Sequence, residues 1–269
     1  MFEYAFMRKA FIAGFFISII IPLIGTVVIN RKTSTIGDAV SHTTLGGILL
    51  GLILAINPLL GGLIFAVLAA FSIEIFRDKF PKNGDMATAI VTSLGIGLTS
   101  IFSDFVPGAQ NLESFLFGSV ISITDQDILV IIATSILVCI LYYYLYYGLI
   151  YISVDPTGAR LAGVKTKLND YIFTLMLAVT IAIASRMVGV LIISSLMILP
   201  VASSMLIGKN YKFTVLFSIV FGMIYFFLGL ILAYYGQLKP GGSIIVVSVL
   251  GLIITIIAKR ILYISQKKA

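Results

Sequence analysis

The sequence predicts an all-α, polytopic membrane bundle of about eight or nine spans. Three observations lead there. The mean hydropathy is +1.14. Only 11% of the 269 residues are charged, too few to cover the surface of a water-soluble domain. Apolar runs of about 20 residues recur along the chain, and that length crosses ~30 Å of hydrocarbon as a helix. In lipid the backbone must satisfy its own hydrogen bonds, so each run is read as a helix.

The first span is placed at 10–30. The opening "MFEYAFMRKAFIAGFF" runs into it without a small-residue cleavage site, so it is read as a retained span and not a signal peptide. Spans at 36–56, 58–76 and 86–104 follow. The stretch from Ser103 to Asp127, "SDFVPGAQNLESFLFGSVISITDQD", contains no Lys or Arg. The remaining spans are placed at 127–150, 171–186, 188–208, 213–235 and 242–264. The pair 171–186 and 188–208 is the least separated, divided only by the region of Arg186.

Orientation follows from the loops. Arg31 and Lys32 follow the first span, Arg77, Lys79 and Lys82 the third, Arg160, Lys165 and Lys167 the fifth, and Lys209 and Lys212 the seventh. Lys and Arg collect on the cytoplasmic side, which puts these loops and the C-terminus inside and the N-terminus outside. The formal charge of +7 is thereby assigned to cytoplasmic loops and not to nucleic-acid binding. The single cysteine, Cys139, excludes an internal disulfide and a thiol-rich metal site. The whole chain, 1–269, reads as one transmembrane domain. No loop is long enough for a nucleotide site and there is no phosphate-loop motif. The chain is therefore not expected to be catalytic, and any ATP would be hydrolysed by a partner.

Three stretches carry chemistry. In "IGDAVSH", Asp38 and His42, the only histidine, lie at i and i+4 and so share a helix face. A carboxylate and an imidazole suit a first-row divalent ion such as Zn²⁺ or Mn²⁺. Small residues around them, with Gly47 and Gly51 spaced as G-x-x-x-G, allow close helix approach. Two structural roles compete: Asp38 as a helix cap, and His42 as the hydrogen-bond partner of a neighbouring carbonyl. The second stretch, within 154–168, is "VDPTGARLAGVKTK". Asp155 followed by Pro156 reads as a cap with Pro at the first helical position. Ala159, Leu161, Ala162 and Val164 would give a short helix an apolar face, with Arg160 beside it and Gly163 after it. It serves either as a topology-fixing basic loop or as a docking helix. The third combines Arg186, Gly189, Ser194 and Pro200 in one apolar region, as a kinked, moving helix or gate would.

These stretches, in this order, resemble the permease subunit of the zinc and manganese ABC importers. "GDAVSH" is similar to a G-D-x-x-[SA]-H motif of that family. "VDPTGARLAGV" is similar to its F-D-x-x-x-A-x-x-x-G-[LV] cytoplasmic segment. "RMVGVLIISSLMILPVASSM" and "YYGQLKPGGSIIV" resemble its later blocks. The resemblance implies a type II importer-like permease acting as a homodimer, with Asp38 and His42 contacting a transiently bound ion on the two-fold axis. It implies that Asp155, Pro156, Ala159, Arg160 and Gly163 form the coupling helix for a cytoplasmic ATP-binding subunit, and that an extracellular metal-binding protein delivers the ion. No permanently bound cofactor is expected. The two ends of the chain lean toward the zinc branch, with manganese or iron as alternatives. A gradient-driven carrier using Asp38 and Glu74 is the rival reading, although no repeat between the halves supports it.

Overall fold

The computed structural model describes residues 3–80, 83–106, 110–119, 123–208 and 210–268, with side chains for all but 110–113 and 262–268. Lys82 and Lys209, two of the loop cations, lie outside these residues. Eleven helices are described: α1 (Ala5–Asn30), α2 (Ile36–Ile53), α3 (Pro58–Lys79), α4 (Gly84–Ser103), α5 (Gln110–Phe117), α6 (Asp125–Val154), α7 (Pro156–Leu161), α8 (Thr166–Val188), α9 (Val190–Ile207), α10 (Tyr211–Gly236) and α11 (Pro240–Lys268). Among the described residues, nine of them are long and apolar enough to cross a membrane.

Every expected span has its helix. The differences lie at the ends, where polar residues cap or extend the apolar run. α1 begins five residues before the expected 10 because Arg8 and Lys9 are carried on its first turns, with Lys9 Nζ 2.7 Å from Asp125. α6 starts at a capping box in which Thr124 and Asp127 each bond the other's backbone, and it runs on to Val154. The cation-free outer stretch also holds a short helix, α5, which packs against α8 and α9.

Arg186 and Gly189 resolve the doubtful region. α8 and α9 are separate helices joined by Gly189 alone, at φ +93°. That backbone conformation suits glycine. A Cβ there would also strike the backbone of Leu116, Phe117 and Gly118, so the end of α5 sits directly on the joint.

Ion pairs tie matching ends together. Lys9 and Asp125 join the start of α1 to the start of α6, and Arg31 with Asp170 at 2.8 Å joins the end of α1 to the start of α8. This places the basic loops after α1, α3 and α6 at one end, in agreement with the charge-based orientation.

α2 lies at the centre of its half of the molecule, packed by α3, α4, α8 and α9. Glycines make this possible. Gly47 of α2 and Gly61 of α3 touch backbone to backbone, and Gly95 of α4 lies against the backbone of Thr43. Without a hydrophobic drive between helices in lipid, such close contact supplies the association. Gly61→Val, which inserts a side chain between two backbones, is expected to lower thermal stability by about 1–3 kcal/mol. Gly97→Ala, inside α4 at a site with open space around it, should leave the melting temperature unchanged or slightly raised, because Ala is the better helix former; heat-induced unfolding of the detergent-purified proteins compares the two.

Candidate functional site

The burial pattern of α2 isolates the two candidate ligands. Between Ile36 and Leu49 every residue is buried except Asp38, which is exposed, and His42, which is half-buried. The helix is wrapped on its other sides, and its one open strip carries the acid and the imidazole. Asp38 stands at the third position of the helix, where the positive end of the helix dipole favours a carboxylate.

Among the described residues, neither structural role suggested by the sequence is seen. The residue before the helix is Thr35, and no side-chain cap bond forms at this end. The contact at His42 is made by its backbone carbonyl, which accepts from Thr99 Oγ1 at 3.2 Å. This bond and the Thr35–Thr88 hydroxyl contact at 3.0 Å hold α4 along one border of the strip. On another side, Gly37 presses against Met197 and Ser194 of α9, so Ser194 stands beside the first turn of α2. Pro200 is buried further along α9. Among the described residues, no group of three or more His, Cys, Asp or Glu could hold a metal ion.

The segment after α6 folds as its cap signature requires. Asp155 Oδ1 accepts from the backbone N–H of Thr157 and of Gly158, at 3.1 and 2.9 Å, and Pro156 opens the helix. Gly163 closes the segment at φ +84°. The expected apolar face divides in two. Ala159 is fully buried in its own chain, while Leu161 is 86% exposed and Ala162 and Arg160 are also open. Along this short helix the outward face is made by Arg160, Leu161 and Ala162, and Ala159 is turned into its own chain.

Arg186 is not a loop charge. It sits in the last turn of α8 and donates to Asp127, which is buried in the first turn of α6. The pair borders an outer cavity of about 300 Å³ also lined by Ile48, Asn57, Leu59 and Phe115. Sequence reading passed over Asp127. The usable signal was that an arginine at membrane depth needs a partner, and the outer segment supplied acids. Also missed was the chain of hydroxyls Thr26–Tyr142–Tyr211, with contacts of 3.4 and 3.1 Å, which fastens α6 to α1 and α10.

Comparison with known proteins matches this architecture along nearly its whole length. The chain matches the ABC 3 transport family over residues 3–259. It is 32% identical over 258 residues to a "Probable metal transport system membrane protein" of Treponema pallidum, covering 95% of this chain and 96% of that one. It is 29% identical to the manganese import system permease protein ScaB of Streptococcus gordonii, covering 98% and 96%. Among solved structures, PsaBC from Streptococcus pneumoniae in complex with Fab superposes with a TM-score of 0.84 at 25% identity, over 94% of this chain and 91% of that chain. The chain belongs to the ABC 3 transport family, as an integral membrane permease of the metal-ion ABC transporters.

Proposed function

We propose that this chain is the permease subunit of an ATP-driven importer that carries a divalent first-row metal ion inward along the interface between two copies of itself. The observation that carries the reading is the open strip of α2. Between Ile36 and Leu49 this helix leaves uncovered only a carboxylate and an imidazole, and covering that strip with the same strip of a second copy brings two of each together. Four such donors suit Mn²⁺ or Zn²⁺. A closed two-fold dimer is the commonest assembly of identical chains.

The cargo is taken as manganese. The donor set serves either ion, and the ends of the chain resemble the zinc branch. The named relatives weigh against that branch, since a manganese import system permease protein of Streptococcus gordonii and a manganese transport system membrane protein of Listeria monocytogenes align over 98% and 91% of this sequence. An extracellular binding protein delivers the ion, and a separate ATP-binding subunit takes hold of α7 through Leu161 and Ala162.

His42→Ala and Asp38→Ala should each lower manganese uptake by membrane vesicles by at least tenfold, the scale of loss on disturbing a metal's ligand environment, with membrane insertion unchanged. Wild-type uptake by either variant would refute their role. In the same assay, competition by excess unlabelled manganese but not zinc is the expected outcome, and the reverse would assign the cargo to zinc.

Leu161→Glu should separate ATP hydrolysis from uptake, leaving the assembled complex able to hydrolyse ATP while transport falls severalfold. Ala159→Leu should instead lower the amount of folded permease, because its side chain has no room. Full coupling in Leu161→Glu would leave α7 with only a topological role.

A further inference from the structure

The long helix α6 changes character along its outward face. At 3.6 residues per turn, Leu129, Ile136 and Ile140 share a face with Tyr143, Tyr144, Tyr147 and Tyr151. All of them stand open. As far as Ile140 the face is aliphatic. Beyond it the face is tyrosine, with Tyr143, Tyr144 and Tyr147 exposed by 80%, 78% and 76%. The four tyrosines fall within an arc of about 100°.

Two rulers give the depth of this face. The first is length. α6 opens at the outer end with Asp125 and Asp127 in its first turn. Tyr143 follows Asp125 by about 27 Å along the axis at ~1.5 Å per residue, close to the ~30 Å of a hydrocarbon core. The second ruler is the neighbouring helices. Buried Tyr142 meets Thr26, in the last turns of α1, and Tyr211, the first residue of α10. Gly148 lies against Asn169, near the start of α8. At this level the neighbours carry their polar ends: Asn30 and Arg31, Asn169 and Asp170, Asn210 and Lys212. Both rulers put Tyr143 and Tyr144 at the inner edge of the hydrocarbon, with Tyr147 and Tyr151 one and two turns beyond it. Tyrosine suits that layer, because its ring is apolar and its hydroxyl needs a polar partner.

We propose that the tyrosine face of α6 docks on the headgroup layer of the inner leaflet, and that this lipid surface fixes the depth of α6 and with it the height of α7. The face continues, without a break, the aliphatic surface that α6 turns to the lipid tails, which selects lipid over a protein partner as its occupant. Tyr151 stands one turn before Asp155, the residue that ends α6 and caps α7. The anchored face and α7 are thereby joined by a single turn of helix. The inference does not depend on which metal the protein carries or on what binds α7.

The chain contains no tryptophan, so one introduced indole reports its own depth. Tyr147→Trp and Ile136→Trp permeases are reconstituted in phosphatidylcholine vesicles, alone and assembled with the ATP-binding subunit, whose own emission is subtracted using the wild-type permease. Lipids carrying a nitroxide either on the headgroup or at mid-chain quench the emission. The headgroup label is expected to quench Tyr147→Trp more than the mid-chain label does, by at least about twofold. Ile136→Trp should show the reverse order, and the subunit should change neither. Replacing Tyr143, Tyr144 and Tyr147 together by Leu in the Ile136→Trp permease should let α6 slide and lower its mid-chain quenching. The three side chains are exposed, so folding should survive; if it does not, the depth of Tyr147→Trp carries the test. Stronger mid-chain than headgroup quenching of Tyr147→Trp, or no quenching by either lipid, overturns the proposal. So does loss of lipid quenching when the ATP-binding subunit binds, which would assign the face to protein, and so does an unmoved indole in a folded Leu variant.

Discussion

The close contact of α2 with its neighbours is the constraint on which the rest depends. Side chains of ordinary size would hold α2 away from α3 and α4 and open several of its faces to lipid or water. Gly47 against Gly61, and Gly95 against Thr43, remove that spacing. The helix can then be enclosed on nearly every side. Between Ile36 and Leu49, what stays at least partly open is Asp38 and His42. Two polar side chains on a fully lipid-facing helix would be costly. On a helix wrapped along the rest of Ile36–Leu49, they lie together in one gap of the packing.

The two ends of the bundle are fixed by different means. At the outer end, Arg186 and Asp127 join α8 to α6, and α5 rests on the Gly189 joint. Only the Asp127 side of this pair is buried, so a net gain in stability is offset by desolvation of that carboxylate, while removing Arg186 would strand it. Such a pair fixes the geometry of the joint more than it strengthens the fold. At the inner end the attachment is spread over Arg31–Asp170, the Thr26–Tyr142–Tyr211 hydroxyls and the α7 cap. These link α6, and therefore α7, to α1, α8 and α10.

Much of this was legible in the sequence because the membrane simplifies the physics. Length and hydropathy give the spans, since only self-satisfied helices can cross. Asp155–Pro156 gave the start of α7 because capping is local chemistry. The spacing of Asp38 and His42 gave a shared face. What the sequence could not give was which face stays open, because that depends on glycines of three different helices meeting. The same limit hid the partner of Arg186, for Asp127 is 59 residues away. It also left Ala159 and Leu161 together on one apolar face. An apolar residue on a short helix looks the same in sequence whether it faces a partner or its own chain, and only packing separates Ala159 from Leu161. α5 escaped notice because eight residues in a polar stretch carry too little periodicity to stand out.

On the proposed reading, the half-site in each chain is a functional requirement and not a deficiency. A complete site within one chain would hold its ion at all times, and an ion that cannot leave is not transported. Two donors per chain bind firmly only when both strips face each other, so affinity follows the relative position of the two copies. That position can answer to α7 through a short series of contacts. α7 leads into α8, α8 turns into α9 at Gly189, and Ser194 and Met197 of α9 press on Gly37, the residue before Asp38. Each link is a packed contact or a direct chain connection, so a shift at the inner surface need not be large to be felt there. The glycine contacts that enclose α2 also tie it to its surroundings, and a movement of α9 must then carry Asp38 with it or break the packing that exposed it.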